Sequence, residues 1–141
     1  MYLLDTNVIS ELRKQKPHGA VIAWLQSVPD NELFISALTL GELQAGVERT
    51  KRQNTEKAAS IEAWIDQIAE AYEVIPMDAP TFREWARLME GKSDQLFEDA
   101  MIAATARIRR LTVATRNTRD FESLSVKLIN PFDWTTQSPP K

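Results

Sequence analysis

Short apolar runs alternate along this chain with longer stretches whose apolar residues recur every three or four positions, and this alternation limits the fold more than any other feature. The runs Tyr2–Leu4, Leu33–Ile35, Glu73–Ile75, Leu111–Ala114 and Val126–Ile129 are short and partly β-branched, which predicts strands. Between them, Leu40, Leu43 and Val47 form one stripe, and Ile61, Ile65, Ile68 and Tyr72 a second. Phe82, Trp85, Ala86 and Met89 form a third, and Phe97, Met101, Ala104, Ile108 and Leu111 a fourth; all four predict helices with one apolar side. Pro29, Pro76 and Pro80 fall between segments, where a fixed φ and a missing N–H separate elements without breaking them. Parallel strands need a crossover connection, usually a helix, so the alternation predicts an α/β fold: a three-layer sandwich around a mostly parallel sheet. At 141 residues the chain has enough core for a single domain, expected over residues 1–132. Residues 133–141 end in Pro139-Pro140-Lys141 and are expected to form a disordered tail.

In such sheets ligand sites form just outside the carboxyl ends of the strands, which directs attention to the polar residues there. In MYLLDTNVIS the first strand ends on Asp5, which read alone caps the next helix with Thr6 or Asn7 helping. After the second strand Thr39 suits a helix cap, and Glu42 points away from the Leu40–Leu43–Val47 stripe. In EDAMIAATA, residues 98–106, Asp99 lies off the apolar stripe near the alanines, while Glu98 is expected to point elsewhere. In ATRNTRDFE, residues 114–122, Asn117 and Asp120 suit a turn that opens a short helix. Each acid alone has a local explanation as a cap, a first-turn acid or a solvated side chain. Together they suggest a carboxylate cluster, and gathered carboxylates repel and raise one another's pKa unless a cation neutralises them.

Composition narrows which cation. The chain has no cysteine and a single histidine, His18, so thiolate and multi-histidine sites are excluded. Oxygen ligands suit magnesium, manganese or calcium. A net charge of −3 argues against broad, charge-driven nucleic-acid binding, but not against a nuclease whose own carboxylates lower the total. Basic clusters at Arg13, Lys14 and Lys16, at Arg49, Lys51 and Arg52, and at Arg107, Arg109 and Arg110 read as solvated helix ends. No apolar run approaches the roughly 20 residues that span a bilayer, and Asp5 and Asn7 interrupt any leader, so a cytoplasmic chain without membrane contact is expected.

The stretches MYLLDTNVIS, FISALTLGELQAG, EDAMIAATA and TVATRNTRDFE, in this order over residues 1–132, make the chain resemble the PIN-domain family. Within that family it is similar to the VapC-type ribonuclease toxins of bacterial toxin–antitoxin pairs. The resemblance implies an endoribonuclease that hydrolyses RNA phosphodiesters with activated water and Mg2+, with Mn2+ as a substitute. The family's acids fall on Asp5, Glu42, Asp99 and Asp120. Asp5 and Asp99 look like direct metal ligands, and Glu42 like a ligand acting through water or a base that orients it. Thr6 and Asn117 look like groups that hold the aspartates by hydrogen bonds. The fourth acidic position varies in the family, and Asn117 could take over part of the work of Asp120. Also implied are an antitoxin that blocks the acidic groove and a toxin homodimer. Residues 7–28 and 39–72 would form the partner-binding region, with Trp24, Leu25 and Trp64 as apolar candidates, although core packing is the commoner role for any one of them. Two rivals fit less well. A haloacid-dehalogenase-like phosphotransferase needs a second aspartate where this chain has Asn7, and a PIN-like binding module without catalysis would not need all four acids. DNA as the substrate stays open on chemistry alone.

Overall fold

In the computed structural model, which describes residues 1–135, β1 (Tyr2–Leu4) runs through the middle of a parallel sheet and is buried on both faces. It is joined by β2 (Leu33–Ser36), β3 (Glu73–Ile75), β4 (Thr112–Ala114) and β5 (Leu128–Ile129), in the order β3-β2-β1-β4-β5. Leu4 pairs with Ile35 on one side and Ala114 on the other. The three-layer α/β sandwich expected from the alternation is the fold observed.

Successive strand residues point to opposite faces, so β1 feeds two cores. Tyr2 and Leu4 pack with residues of α2 (Gly19–Ser27), α3 (Ala37–Lys51) and α4 (Thr55–Ala71). Leu3 packs with α5 (Ala79–Met89), α6 (Phe97–Arg109) and Phe121 of α7 (Thr118–Phe121). Leu3 and Leu4 are fully buried, each contributing about 1.5–3 kcal/mol relative to an exposed side chain. A short helix, α1 (Thr6–Ile9), leaves the end of β1 directly.

The helices differ from the expected stripes in an instructive way. The buried side of α6 is Ala100, Ile102, Ala103, Ala104 and Ala106, whereas Phe97 and Ile108 are 43% and 38% exposed. Alanines weigh little in an apolar stripe, yet here they let α6 sit close to both sheet and α5, leaving the larger residues at the rim. Phe82 on α5 is likewise 44% exposed. The cap of α3 is Ser36, whose hydroxyl accepts the Leu38 N–H at 3.1 Å; the expected cap, Thr39, is buried in the first turn instead.

Trp24 takes the core role: it is 2% exposed and meets Tyr2 edge to face at 5.1 Å. Leu25 is buried beside it, while Trp64 is only half-buried and borders surface grooves with Arg13. Arg107 is not a free helix end, because its guanidinium donates to the nearly buried Glu84 at 2.6 Å and to the Ser125 carbonyl. Asp133 and Trp134, expected in the tail, follow the chain into the fold: Asp133 ends a 3-10 turn and Trp134 packs on the core. Residues 136–141, the rest of that tail, lie outside the described residues. Among the described residues no helix is long and apolar enough to cross a membrane.

Candidate active site

The chain builds β1, β2 and β3 toward one edge of the sheet, then returns to the other side of β1 for β4 and β5. That reversal opens a crevice beyond the carboxyl ends of β1 and β4, the place where open parallel sheets bind ligands. Asp5 is the first residue past β1, and its N–H still bonds the Ala114 carbonyl at 2.9 Å, so the ladder fixes where its side chain starts. It is 7% exposed.

Three donors hold the buried carboxylate. Its Oδ1 accepts the Thr6 N–H at 2.8 Å, and its Oδ2 accepts the Thr115 hydroxyl at 2.9 Å and the Asn7 amide at 3.3 Å. Thr115 occupies the matching position after β4 and is fully buried. Its oxygen already accepts the Asn117 N–H at 3.0 Å and the Asn7 amide at 3.3 Å, so its one proton goes to Asp5. Asn7 is oriented in turn by its own oxygen, which accepts the Arg116 N–H at 3.0 Å. Burial pushes the Asp5 carboxyl above its usual range; Thr115, Thr6 and Asn7 pull it back, and the charge of Asp120 adds a smaller push upward. Two donors occupy Oδ2 and one occupies Oδ1, which leaves a lone pair on Oδ1 for a further partner.

Asp5 borders a cleft of about 310 Å³ shared with Glu42, Glu98, Asp99 and Asn117. Glu42 reaches it from α3, where Thr6 Oγ1 donates to Glu42 Oε1 at 3.1 Å. Burial pushes Glu42 up to about 7, assisted by the Glu98 carboxyl at hydrogen-bonding range and by Asp5, while Thr6 opposes the shift. Asp99 comes from the first turn of α6 and is half-buried. Burial first, then the charges of Asp5, Asp120 and Glu98, push it up to about 6. Among the described residues no group donates a hydrogen bond to it.

The sequence-derived candidates therefore separate. Asp5, Glu42 and Asp99 meet at one cleft. Asp120 is exposed on α7 and does not border the cleft; it acts on Asp5 and Asp99 through its charge. Asn117 borders the cleft, but it reaches the aspartate network through its main-chain N–H to Thr115 rather than through its amide. Thr6 holds Asp5 by its N–H and gives its hydroxyl to Glu42, not to an aspartate. Glu98, expected to point elsewhere, borders the cleft, because α6 begins at Phe97 and its opening turn sits at the cleft mouth. Asn7 and Thr115 were not expected as supports. The rule that found Asp5, the first polar residue past a strand, also picks out Thr115 when it is applied to hydroxyls.

A divalent cation suits this donor set. All the charged groups are carboxylates, one half-buried carboxylate lacks donors, and a second keeps a free lone pair. Among the described residues no three His, Cys, Asp or Glu side chains form a ready metal cage. Magnesium does not require one, since it usually takes one or two carboxylates and keeps several waters.

Comparison with known proteins bears on the family and the fold. The family described as PIN domain matches residues 2–127. The VapC ribonuclease Y4jK of Sinorhizobium fredii is 38% identical over 144 residues, covering 94% of this chain and 99% of that protein. Toxin FitB of Neisseria gonorrhoeae is 34% identical over 139 residues, with 94% and 99% covered. The crystal structure of FitAcB from Neisseria gonorrhoeae superposes with a TM-score of 0.84 at 35% identity, over 95% of this chain and 100% of that one.

Proposed function

Because the chain belongs to the PIN-domain family, we propose that it is a metal-dependent endoribonuclease, the toxin of a toxin–antitoxin pair. The observation that carries this reading is the grouping of Asp5, Glu42, Glu98 and Asp99 around one cleft at the sheet's switch point. The names of its relatives, a VapC ribonuclease and a toxin, support it. When bound, Mg2+, or Mn2+ in its place, would neutralise crowded negative charge and make water a better nucleophile. Asp5 and Asp99 would hold it, and Asp5 keeps a lone pair on Oδ1 open. Glu42, fixed by Thr6, orients the attacking water and takes its proton; its pKa, raised to about 7, suits a group that exchanges protons near neutrality. Asp120 deepens the negative potential from outside the cleft, and the exposed Asn117 amide can donate to a phosphate oxygen.

Water, not the ribose 2′-hydroxyl, attacks in this scheme, so the products carry 5′-phosphate and 3′-hydroxyl ends. Incubating the purified protein with single-stranded RNA, with Mg2+ or with chelator, and sequencing the product ends tests this. Chelator should stop cleavage, and a 2′,3′-cyclic phosphate would refute the mechanism. The same proposal includes a cytoplasmic site of action, a cognate antitoxin over the acidic groove and a homodimer. The edge-to-face series Phe82–Trp85–Phe97, with ring centroids 6.3 and 5.5 Å apart and its two phenylalanines exposed, is a face that a second copy would cover.

A further inference from the structure

An acidic cleft must receive a polyanion, so cations near its mouth matter. Arg87 and Arg107 bond to Glu84, and Arg109 lies 3.9 Å from Asp78, so these three are engaged with carboxylates away from the cleft. Arg116 differs. It follows Thr115 directly at the end of β4 and precedes Asn117, which borders the cleft. Its main-chain N–H bonds Asn7, the same side chain that donates to Asp5, so its backbone is fixed to the network that sets the aspartate. Its guanidinium lies over the Phe132 ring, 4.5 Å from the centroid, and that ring is braced on its other contact by His18, edge to face at 5.1 Å. Among the described residues Arg116 has no carboxylate partner, and its guanidinium N–H groups donate to nothing.

Stacking on an aromatic ring stiffens the guanidinium while leaving its in-plane N–H donors free. A fixed, planar, unpaired donor fork on the residue between Thr115 and the cleft-bordering Asn117 suits the oxygens of a phosphate. The acids themselves would repel any strand that lacked such an anchor. We propose that Arg116 is a substrate-binding residue that grips one non-scissile phosphate of the RNA strand and so sets the strand's register in the cleft. The inference rests on the ribonuclease reading above.

The test uses the full-length protein and a short fluorescein-labelled single-stranded RNA of mixed sequence with Mg2+. Arg116→Gln should raise KM about tenfold, the low end for a charge-assisted hydrogen bond at an exposed site, and leave kcat within about twofold. It should also make the salt dependence of binding shallower by about 0.7, the slope of one phosphate contact on a single strand. Arg116→Lys should restore the salt slope and only part of KM, because an ammonium keeps the charge and loses the fork. Replacing one phosphate at a time by a neutral methylphosphonate locates the contact: at one position, and there alone, Arg116→Gln should add no further penalty. A substitution that lowers the melting temperature while KM and the salt slope stay at wild-type values would make Arg116 merely a cover for Phe132 and overturn the proposal. Equal losses for Arg116→Gln at every methylphosphonate position would overturn it as well. If wild-type protein neither binds nor cleaves RNA, the ribonuclease reading fails instead, so the two failures are distinguishable.

Discussion

Asp5 and Asp99 face one cleft from opposite circumstances, one wrapped in donors and the other, among the described residues, without any. Asp5→Asn and Asp99→Asn should each abolish detectable cleavage, and Glu42→Gln should reduce it severely. Thr115→Val should cost about 10–100-fold, as loss of a support behind a ligand usually does. Glu98→Gln is informative: near-neutral behaviour is expected from sequence, but its place beside Glu42 predicts a measurable loss. Rates on one RNA substrate rank all five. The raised carboxyls also make a stability prediction for the metal-free protein. Asp99 and Glu42, at about 6 and about 7, bind protons more tightly folded than unfolded. Their contribution is therefore fully present below the unfolded carboxylate range and is lost as pH rises through these values. In chelator, melting temperature should fall between mildly acidic and mildly alkaline buffer, and Asp99→Asn should flatten that fall and melt higher at the alkaline end. Mg2+ at about 100 times its dissociation constant should stabilise wild type by about 2.7 kcal/mol and Asp99→Asn much less. Equal Mg2+ responses would remove Asp99 from the metal site.

At the level of elements, α6 shows how the cleft is kept in place. It ends with Arg110 in the left-handed region, φ 59°, and the Leu111 N–H closes back on the Ala106 carbonyl at 2.8 Å. A non-glycine residue there carries strain of about 1–2 kcal/mol. Arg110→Gly should therefore stabilise the fold by about 0.5–1 kcal/mol net of glycine's entropy, read by denaturant titration, with cleavage unchanged. The brace between α5 and α6 works in the opposite sense. Arg107, by the larger effect, and Arg87 hold the Glu84 carboxyl below its usual range despite burial. That stability is present above the unfolded carboxylate range and is lost as pH falls through the folded value. Glu84→Gln should destabilise the protein by about 1–3 kcal/mol, and most of the difference should vanish in strong acid. This brace was not legible in sequence, because Glu84 and Arg107 are 23 residues apart and each looks like a surface helix charge. The strands were more legible. β1 and β3 fall where their apolar runs predict, whereas β5 is shorter because Ser125, at φ 52°, turns the chain and delays its entry into the sheet.

For the whole molecule, the strand order decided what could be read in advance. Period-two and period-three-to-four patterns give the layers and the ends of strands, which is why Asp5 could be singled out before any geometry. They do not say that β4 returns beside β1, so the pairing of Thr115 with Asp5 and the linking role of Asn7 had no signature in sequence. Nor do they say which side of an alanine-rich helix is covered, and Phe97 and Ile108 were misplaced for that reason. The same strand order has a consequence for how the protein is made. The hydroxyl that fixes Asp5 lies 110 residues further along, on the far side of the strand reversal. A chain emerging from the ribosome presents Asp5, then Glu42, then Asp99, and through all of that synthesis its first aspartate has no Thr115 behind it. The pocket is assembled only when β4 slots in beside β1, once residues 112–114 have been translated. The proposed activity therefore waits on the arrival of β4 and cannot belong to any shorter nascent fragment.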